Sequence, residues 1–82
     1  MQVDRSEQLW TACAAALREQ VSEAVWQTTF SVVTPVRLEA NVLRVTVPSS
    51  VVKERIENRY HAVVKGALTD IDEPEIELEV GL

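Results

Sequence analysis

The sequence predicts a single α+β domain with the element order α-α-β-β-α-β, in which helices pack on a three-stranded sheet. Three observations support this. Apolar residues repeat at helical spacing over residues 4–30, they alternate with polar residues over 42–47 and 75–80, and helical spacing returns between those two segments. Such a mixture of helical and strand segments is typical of a two-layer domain with one hydrophobic core.

Two helices are predicted in succession at the start of the chain. The first begins near Asp4, which stands in capping-box spacing with Glu7. Its apolar face holds Leu9, Trp10, Cys13, Ala16, Leu17 and Val21. Ser22 is suited to cap a second helix, whose short apolar face holds Val25, Trp26, Thr29 and Phe30. Because so little linker separates them, the two helices should form a hairpin.

Two strands follow, and the first is predicted to be short, irregular or at a sheet edge. Its apolar residues run from Val32 to Leu38, but Pro35 has no N–H to donate to a neighbouring strand. A turn over 39–41 leads into the second strand, which alternates from residue 42 to 47 and ends at Pro48.

A third helix and a last strand complete the predicted fold. Ser49 or Ser50 caps the helix, and its inward positions are Val52, Ile56, Tyr60, Val63 and Ala67 or Leu68. Gly66 weakens its last turn. After a loop over 70–74, residues 75–80 alternate strictly, so Ile76, Leu78 and Val80 should face the core. The intervening glutamates should face solvent, near Arg37 and Arg44 on neighbouring strands.

Composition indicates one small folded domain over residues 1–82. The chain is 46% hydrophobic and 26% charged, which is typical of a globular protein. It has no apolar run long enough to span a bilayer and no signal segment at its start, so we expect no membrane partner and a cytoplasmic location. Cys13 is the only cysteine, and we expect it to act as a small apolar group in the first helix.

Residues that could support catalysis are sparse. The only glycines are Gly66 and Gly81, so no phosphate-binding loop is present, and His61 is the only histidine. The alternating glutamates of the last strand fit a solvated strand face. We therefore expect no enzyme activity, no catalytic residues, no cofactor and no metal site.

Charge is unevenly distributed along the chain, which has a net charge of −5. Six of the thirteen acidic residues fall in the last thirteen positions, which gives a polarised surface suited to a protein partner. Four of the eight basic residues fall in the third helix: Lys53, Arg55, Arg59 and Lys65. They allow an alternative function, a single-stranded nucleic-acid-binding module. The element order invites comparison with KH-type RNA-binding folds, although the GXXG loop that clamps the backbone in those domains is missing.

The two tryptophans leave two interpretations open. Trp10 and Trp26 could both belong to the core. Alternatively, Trp10 is partly exposed and forms part of an interface, since tryptophan is enriched at binding hot spots.

Three segments together resemble the N-terminal domain of DnaA, the bacterial chromosomal replication initiator. They are "LWTACAAALREQVSE", "FSVVTPVRLEANVLRVTVPSSVVKERIENRY" and "IELEVGL", and they cover nearly the whole chain. The resemblance implies a KH-like fold without the GXXG loop. It also implies a role in protein recruitment, with three kinds of partner: other initiator molecules in weak self-association, the replicative helicase, and regulators of initiation. Weak binding of single-stranded DNA stays open.

The resemblance also assigns partner-binding residues. Trp10 matches the tryptophan that the family uses for self-association and regulator contact. The family's helicase-contacting acidic residue falls at Val25 or Trp26, neither of which is acidic, so Glu23 is the nearest substitute. The aromatic residue after the second strand, which also contacts the helicase in this family, corresponds to Val51, in the turn that Ser49 begins. These departures indicate a divergent partner surface.

Overall fold

The computed structural model describes residues 5–82, which form an α+β fold of short helices beside a three-stranded mixed sheet. The helices are α1 (Ser6–Gln20), α2 (Glu23–Val25), α3 (Ser50–Glu54) and α4 (His61–Asp70). Two π-helical turns, Trp26–Phe30 and Arg55–Arg59, continue α2 and α3 respectively. The strands are β1 (Thr34–Glu39), β2 (Val42–Thr46) and β3 (Glu77–Gly81). The predicted fold class and the KH-like order are confirmed.

The sheet has the order β1-β2-β3, with β1 antiparallel and β3 parallel to the central β2. The prediction that β1 is an irregular edge strand is confirmed, because its pairing with β2 shifts register between Pro35 and Arg37. The strand begins only at Thr34, so the expectation that it includes Val32 and Val33 is wrong. The N–H of Val33 instead donates to the carbonyl of Phe30 at 3.2 Å, which closes the turn after the second helical segment.

Serine side chains begin two of the helices, as predicted. The Ser22 hydroxyl accepts the Val25 N–H at 3.2 Å, and the Ser49 hydroxyl accepts the Val52 N–H at 3.3 Å. Each bond satisfies a backbone donor that the helix itself leaves unpaired. The predicted capping box cannot be assessed, because Asp4 lies outside the described residues.

The third helix differs from its prediction, because it is not continuous. The Tyr60 N–H donates to the Arg55 carbonyl five residues earlier at 2.9 Å, and the backbone of Tyr60 leaves the helical region at φ −108° and ψ 12°. The wide turn shifts the apolar face, so Val64 is buried where Val63 was expected, and Val63 is only half-buried.

The core lies between the helices and one face of the sheet. It is formed by buried residues from α1, the strands and the α3–α4 segment, including Leu17, Phe30, Leu43, Val45, Ile56 and Leu68. The predicted core positions of the last strand hold for Ile76 and Val80, which are buried, while Leu78 is half-buried. The predicted start at residue 75 is wrong, because β3 begins at Glu77 and Ile76 precedes it.

The opposite face of the sheet is charged. Arg44 pairs with Glu79 on the adjacent strand at 3.6 Å, as expected. Arg37 pairs instead with Glu39 on its own strand at 3.9 Å. The reason is the strand order, since β2 separates β1 from β3.

Candidate functional site

A shallow groove of about 370 Å³ lies between α1 and the first π-helical turn, and we call it the α1 groove. It is lined by Trp10, Thr11, Ala14, Ala15, Arg18, Trp26, Phe30 and Ser31. On the α1 side, the alanines leave room between the helix and the facing aromatic rings. The groove is therefore apolar at its base and open to solvent.

Aromatic rings form the base of the α1 groove. Phe30 is fully buried, and its ring lies 6.5 Å from that of Trp26 in a stacked arrangement. On its other side Phe30 contacts Tyr60 edge to face, with ring centroids 5.7 Å apart. Both distances are within the range of favourable aromatic pairs. The base of the groove is thus continuous with the core, which holds its shape.

Charged and polar side chains form one rim of the α1 groove. The Arg18 guanidinium lies 5.2 Å from the centroid of the Trp26 ring, and its Nη2 donates to Glu23 Oε1 at 3.3 Å. Gln27 Nε2 donates to the same oxygen at 3.2 Å. Because Arg18 and Glu23 are both more than half exposed, their ion pair is weak and can exchange for contacts with a partner at little cost.

Trp10 is a core residue, so of the two interpretations left open by the sequence, the partly exposed one is wrong for this side chain. It is 7% exposed, although it is one of the residues that line the α1 groove. Trp26, which also lines the groove, is half-buried. The structure brings Trp10 and Trp26 together there, with Glu23 at the rim, whereas Val25 packs against the core and does not line the groove.

Of the two remaining predicted site residues, only Val51 lies on a second surface. Val51 is 56% exposed and lines a shallow concavity of about 300 Å³, which we call the α3 surface. Its lining residues are Val51, Glu54, Arg55, Asn58 and Arg59. Ser49 does not line this surface, and its hydroxyl caps α3. The predicted site is therefore two surfaces that share no lining residue.

The basic residues of the third helical segment do not form a single patch. Lys53 Nζ donates to both carboxylate oxygens of Glu57, at 3.0 and 3.1 Å. Arg59 lies 5.8 Å from the centroid of the Tyr60 ring and lines the α3 surface with Arg55, whereas Lys65 lines a separate groove beside β3. Their positive charge is partly neutralised and divided between surfaces.

Arg18, Ala14 and Ala15 are groove residues that the sequence interpretation missed as site residues. Nothing local in the sequence indicated which aromatic ring would pack beside these alanines. The Arg18–Trp26 contact joins two helical segments across the break at residues 21–22, so it depends on the angle between them.

Cys13 is buried among apolar side chains, as predicted. Burial raises the pKa of its thiol to about 12, because the thiolate would lose its hydration. The thiol is therefore neutral at physiological pH. Within residues 5–82, no group of three or more histidine, cysteine or acidic side chains is arranged to hold a metal ion. No helix in the same range is long and apolar enough to cross a membrane.

The fold and these surfaces define a class: a small α+β domain with KH-like element order, no GXXG loop, and shallow surfaces lined by aromatic and charged side chains. Comparison with known proteins identifies the family. A family model described as the DnaA N-terminal domain matches residues 7–70. The chromosomal replication initiator protein DnaA of Chlorobaculum tepidum is 32% identical over 73 residues, which are 89% of this chain and 15% of that protein. This chain belongs to the DnaA N-terminal domain family, as the sequence resemblance indicated.

Proposed function

We propose that this domain is the protein-interaction module of a bacterial replication initiator and acts in the cytoplasm without catalysing a reaction. In this role it holds initiator molecules together, recruits the replicative helicase and docks regulators of initiation at the origin. The α1 groove is the observation that supports the proposal. It combines two tryptophans and an arginine, the residue types most enriched at binding hot spots, in one concavity.

The dimensions of the α1 groove favour weak individual contacts. A concavity of about 370 Å³ accommodates a few side chains of a partner. A standard stable interface involves many more, about 20–30 residues on each side. Weak contacts suffice when several initiator molecules are bound to one origin, because each further contact is then effectively intramolecular. The proposed self-association is accordingly weak between free initiator molecules in solution and stronger between initiator molecules bound to the same origin.

The α3 surface gives the domain a second contact. Val51 is an exposed apolar side chain at the first turn of α3, beside Arg55 and Arg59. An apolar centre with flanking arginines is a common composition for a protein interface. We assign helicase contact to the α3 surface and self-association to the α1 groove, since the family resemblance associates Val51 and Trp10 with these partners.

The α1 groove can be tested with two alanines of the same helix. Ala15 lines the groove, whereas Ala12 is also exposed but does not line it. Ala15→Arg should fill the groove and weaken self-association measured by sedimentation equilibrium. Ala12→Arg should leave self-association unchanged, and both variants should retain the wild-type circular dichroism. Equal self-association of the two variants would argue against the α1 groove.

The α3 surface has its own matched pair of valines. Val51 is 56% exposed on α3, and Val36 is 53% exposed on β1. Val51→Gln should reduce capture of the purified replicative helicase by the immobilised domain, without affecting self-association. Val36→Gln should affect neither. Undiminished helicase capture by Val51→Gln would remove the α3 surface from the proposal and leave the α1 groove to be tested for that partner.

A further inference from the structure

We propose that the free edge of β3 is a docking site for an extended segment of a partner protein, one in which apolar residues alternate with lysine or arginine. This site would act by strand addition, in which the segment pairs with the sheet through its backbone. It shares no lining residue with the α1 groove or the α3 surface, although it and the α3 surface both border the second π-helical turn. The proposal does not depend on the function of either surface.

The backbone of β3 is bonded on one side only. The Glu77 N–H donates to the Asn41 carbonyl at 2.8 Å, and the Gly81 carbonyl accepts the Val47 N–H at 3.0 Å. Successive residues of a strand point their backbone groups to opposite sides. Leu78 and Val80 therefore direct their N–H and C=O groups away from β2. Since β3 is last in the sheet order, these groups face an edge with no neighbouring strand among residues 5–82.

A groove runs beside this edge, lined by five apolar side chains and by Glu57, His61, Lys65 and Glu77. It has a volume of about 320 Å³ and lies between β3 and the segment formed by the second π-helical turn and α4. Its apolar lining residues are Ile56, Val64, Leu68, Leu78 and Val80. The side chains of an added strand alternate between the two faces of the sheet, so those on the helix side would enter this groove. Every second residue of the docked segment should therefore be apolar.

Charge specifies the other residues of the segment. Glu77 and Glu79 are exposed on the outer face of β3. Glu79 contacts Arg44, whereas Glu77 makes no ion pair with any residue in the range 5–82. A basic side chain on the added strand would lie opposite these carboxylates, which is a favourable cross-strand pair. A second copy of β3 would instead place glutamate against glutamate, so self-pairing is disfavoured.

The other edge of the sheet is protected in a different way. In β1, Pro35 and the irregular pairing near Val36 interrupt the regular row of backbone donors and acceptors. Strand β3 has neither a proline nor a register shift. Of the two sheet edges, only β3 offers a regular edge, an adjoining partly apolar groove and unneutralised charge together.

The probe for this site is an acetylated and amidated peptide of seven residues that alternates lysine and valine. Added to ¹⁵N-labelled protein, it should shift the Leu78 and Val80 amide resonances and slow their hydrogen exchange. A peptide that alternates glutamate and valine should not, nor should one with the same lysines and valines in two blocks. Absence of these effects at millimolar concentrations of the alternating lysine peptide would overturn the proposal.

A charge reversal tests the specificity. Glu77→Lys should weaken binding of the lysine–valine peptide roughly ten-fold and create binding of the glutamate–valine peptide. Glu19→Lys makes the same charge change on α1 and should leave both affinities unchanged. Equal weakening by the two variants would show only general attraction to an acidic protein. Protection of Leu78 and Val80 amides that increases with protein concentration alone would identify a second copy as the occupant. Either outcome would refute the proposed partner.

Discussion

Replacing Trp10 with alanine should destabilise the domain rather than simply remove a contact. The indole is 7% exposed and belongs to the main core cluster. Deleting a buried tryptophan side chain costs about 3–5 kcal/mol, because apolar burial is lost and a cavity remains. At about 0.05–0.15 kcal/mol per residue, the total stability of an 82-residue domain is about 4–12 kcal/mol. Trp10→Ala should therefore remove a large fraction of the free energy of unfolding.

The measurement is urea unfolding followed by far-ultraviolet circular dichroism, with tryptophan fluorescence as a second probe; it reports on both indoles in the wild type and on Trp26 alone in the variants. Trp10→Phe is the control, since it keeps an aromatic ring in the core and should cost about 1–2 kcal/mol. Wild type, Trp10→Phe and Trp10→Ala should thus rank in that order of midpoint. A cost below about 1 kcal/mol for Trp10→Ala would show that the indole is not a core group, and the burial argument would fail.

Three further predictions address other parts of the chain. Gly66→Ala should raise the free energy of unfolding by about 1 kcal/mol and the melting temperature by roughly 4–8 °C, because an added Cβ would lie an ordinary 3.8 Å from Gln20 Oε1. The Cys13 thiol has an ordinary pKa of 9.0, which burial raises to about 12. The unfolded chain therefore loses this proton first, and the free energy of unfolding should fall as the pH rises from 9.0 to about 12. Cys13→Ala lacks this proton, so the difference between the urea-unfolding free energies of wild type and Cys13→Ala should shrink over that range. A fluorescent single-stranded oligonucleotide should show no measurable affinity at about 0.15 M salt, given the net charge of −5, and binding there with a steep salt dependence would support the nucleic-acid alternative.

Local signals explain what the sequence predicted correctly. The serine caps at Ser22 and Ser49 depend on a hydroxyl and an amide three residues apart, so they can be read from neighbouring residues. The alternation in β2 and β3 follows from having one face against the core. Pro35 marked β1 as irregular because a missing donor excludes a central position.

The break in the third helical segment could not be predicted in the same way. Val63 and Val64 are both apolar, and an ordinary helix and one with a wide turn differ in which of the two faces inward. The π-helical turn at 55–59 changes which side chains face the core, and no glycine or proline in it marks the irregularity. With the wide turn in place, Ile56 and Val64 both lie in the core cluster, a tertiary arrangement that the neighbouring residues do not reveal.

The surroundings of the candidate site residues could not be predicted from the sequence, because exposure is a tertiary property. Trp10 and Trp26 have the same side chain, yet one is buried and the other half-buried, according to where Phe30 and the α1 alanines lie. The family resemblance matched Trp10 to a partner-binding tryptophan and placed an acidic contact position at Val25 or Trp26. It could not show that the two tryptophans meet in one groove with Arg18.

Burial of Trp10 also determines how partner binding should be studied in this domain. A side chain that supports the core and also forms the wall of a groove links folding stability to the shape of the binding surface. Loss of partner capture in Trp10→Ala would follow from partial unfolding as readily as from a lost contact. Ala15 avoids this ambiguity, because it is exposed in the groove and contributes no side chain to the core cluster. Binding that fails in Ala15→Arg while the unfolding midpoint stays at the wild-type value can be attributed to the groove itself.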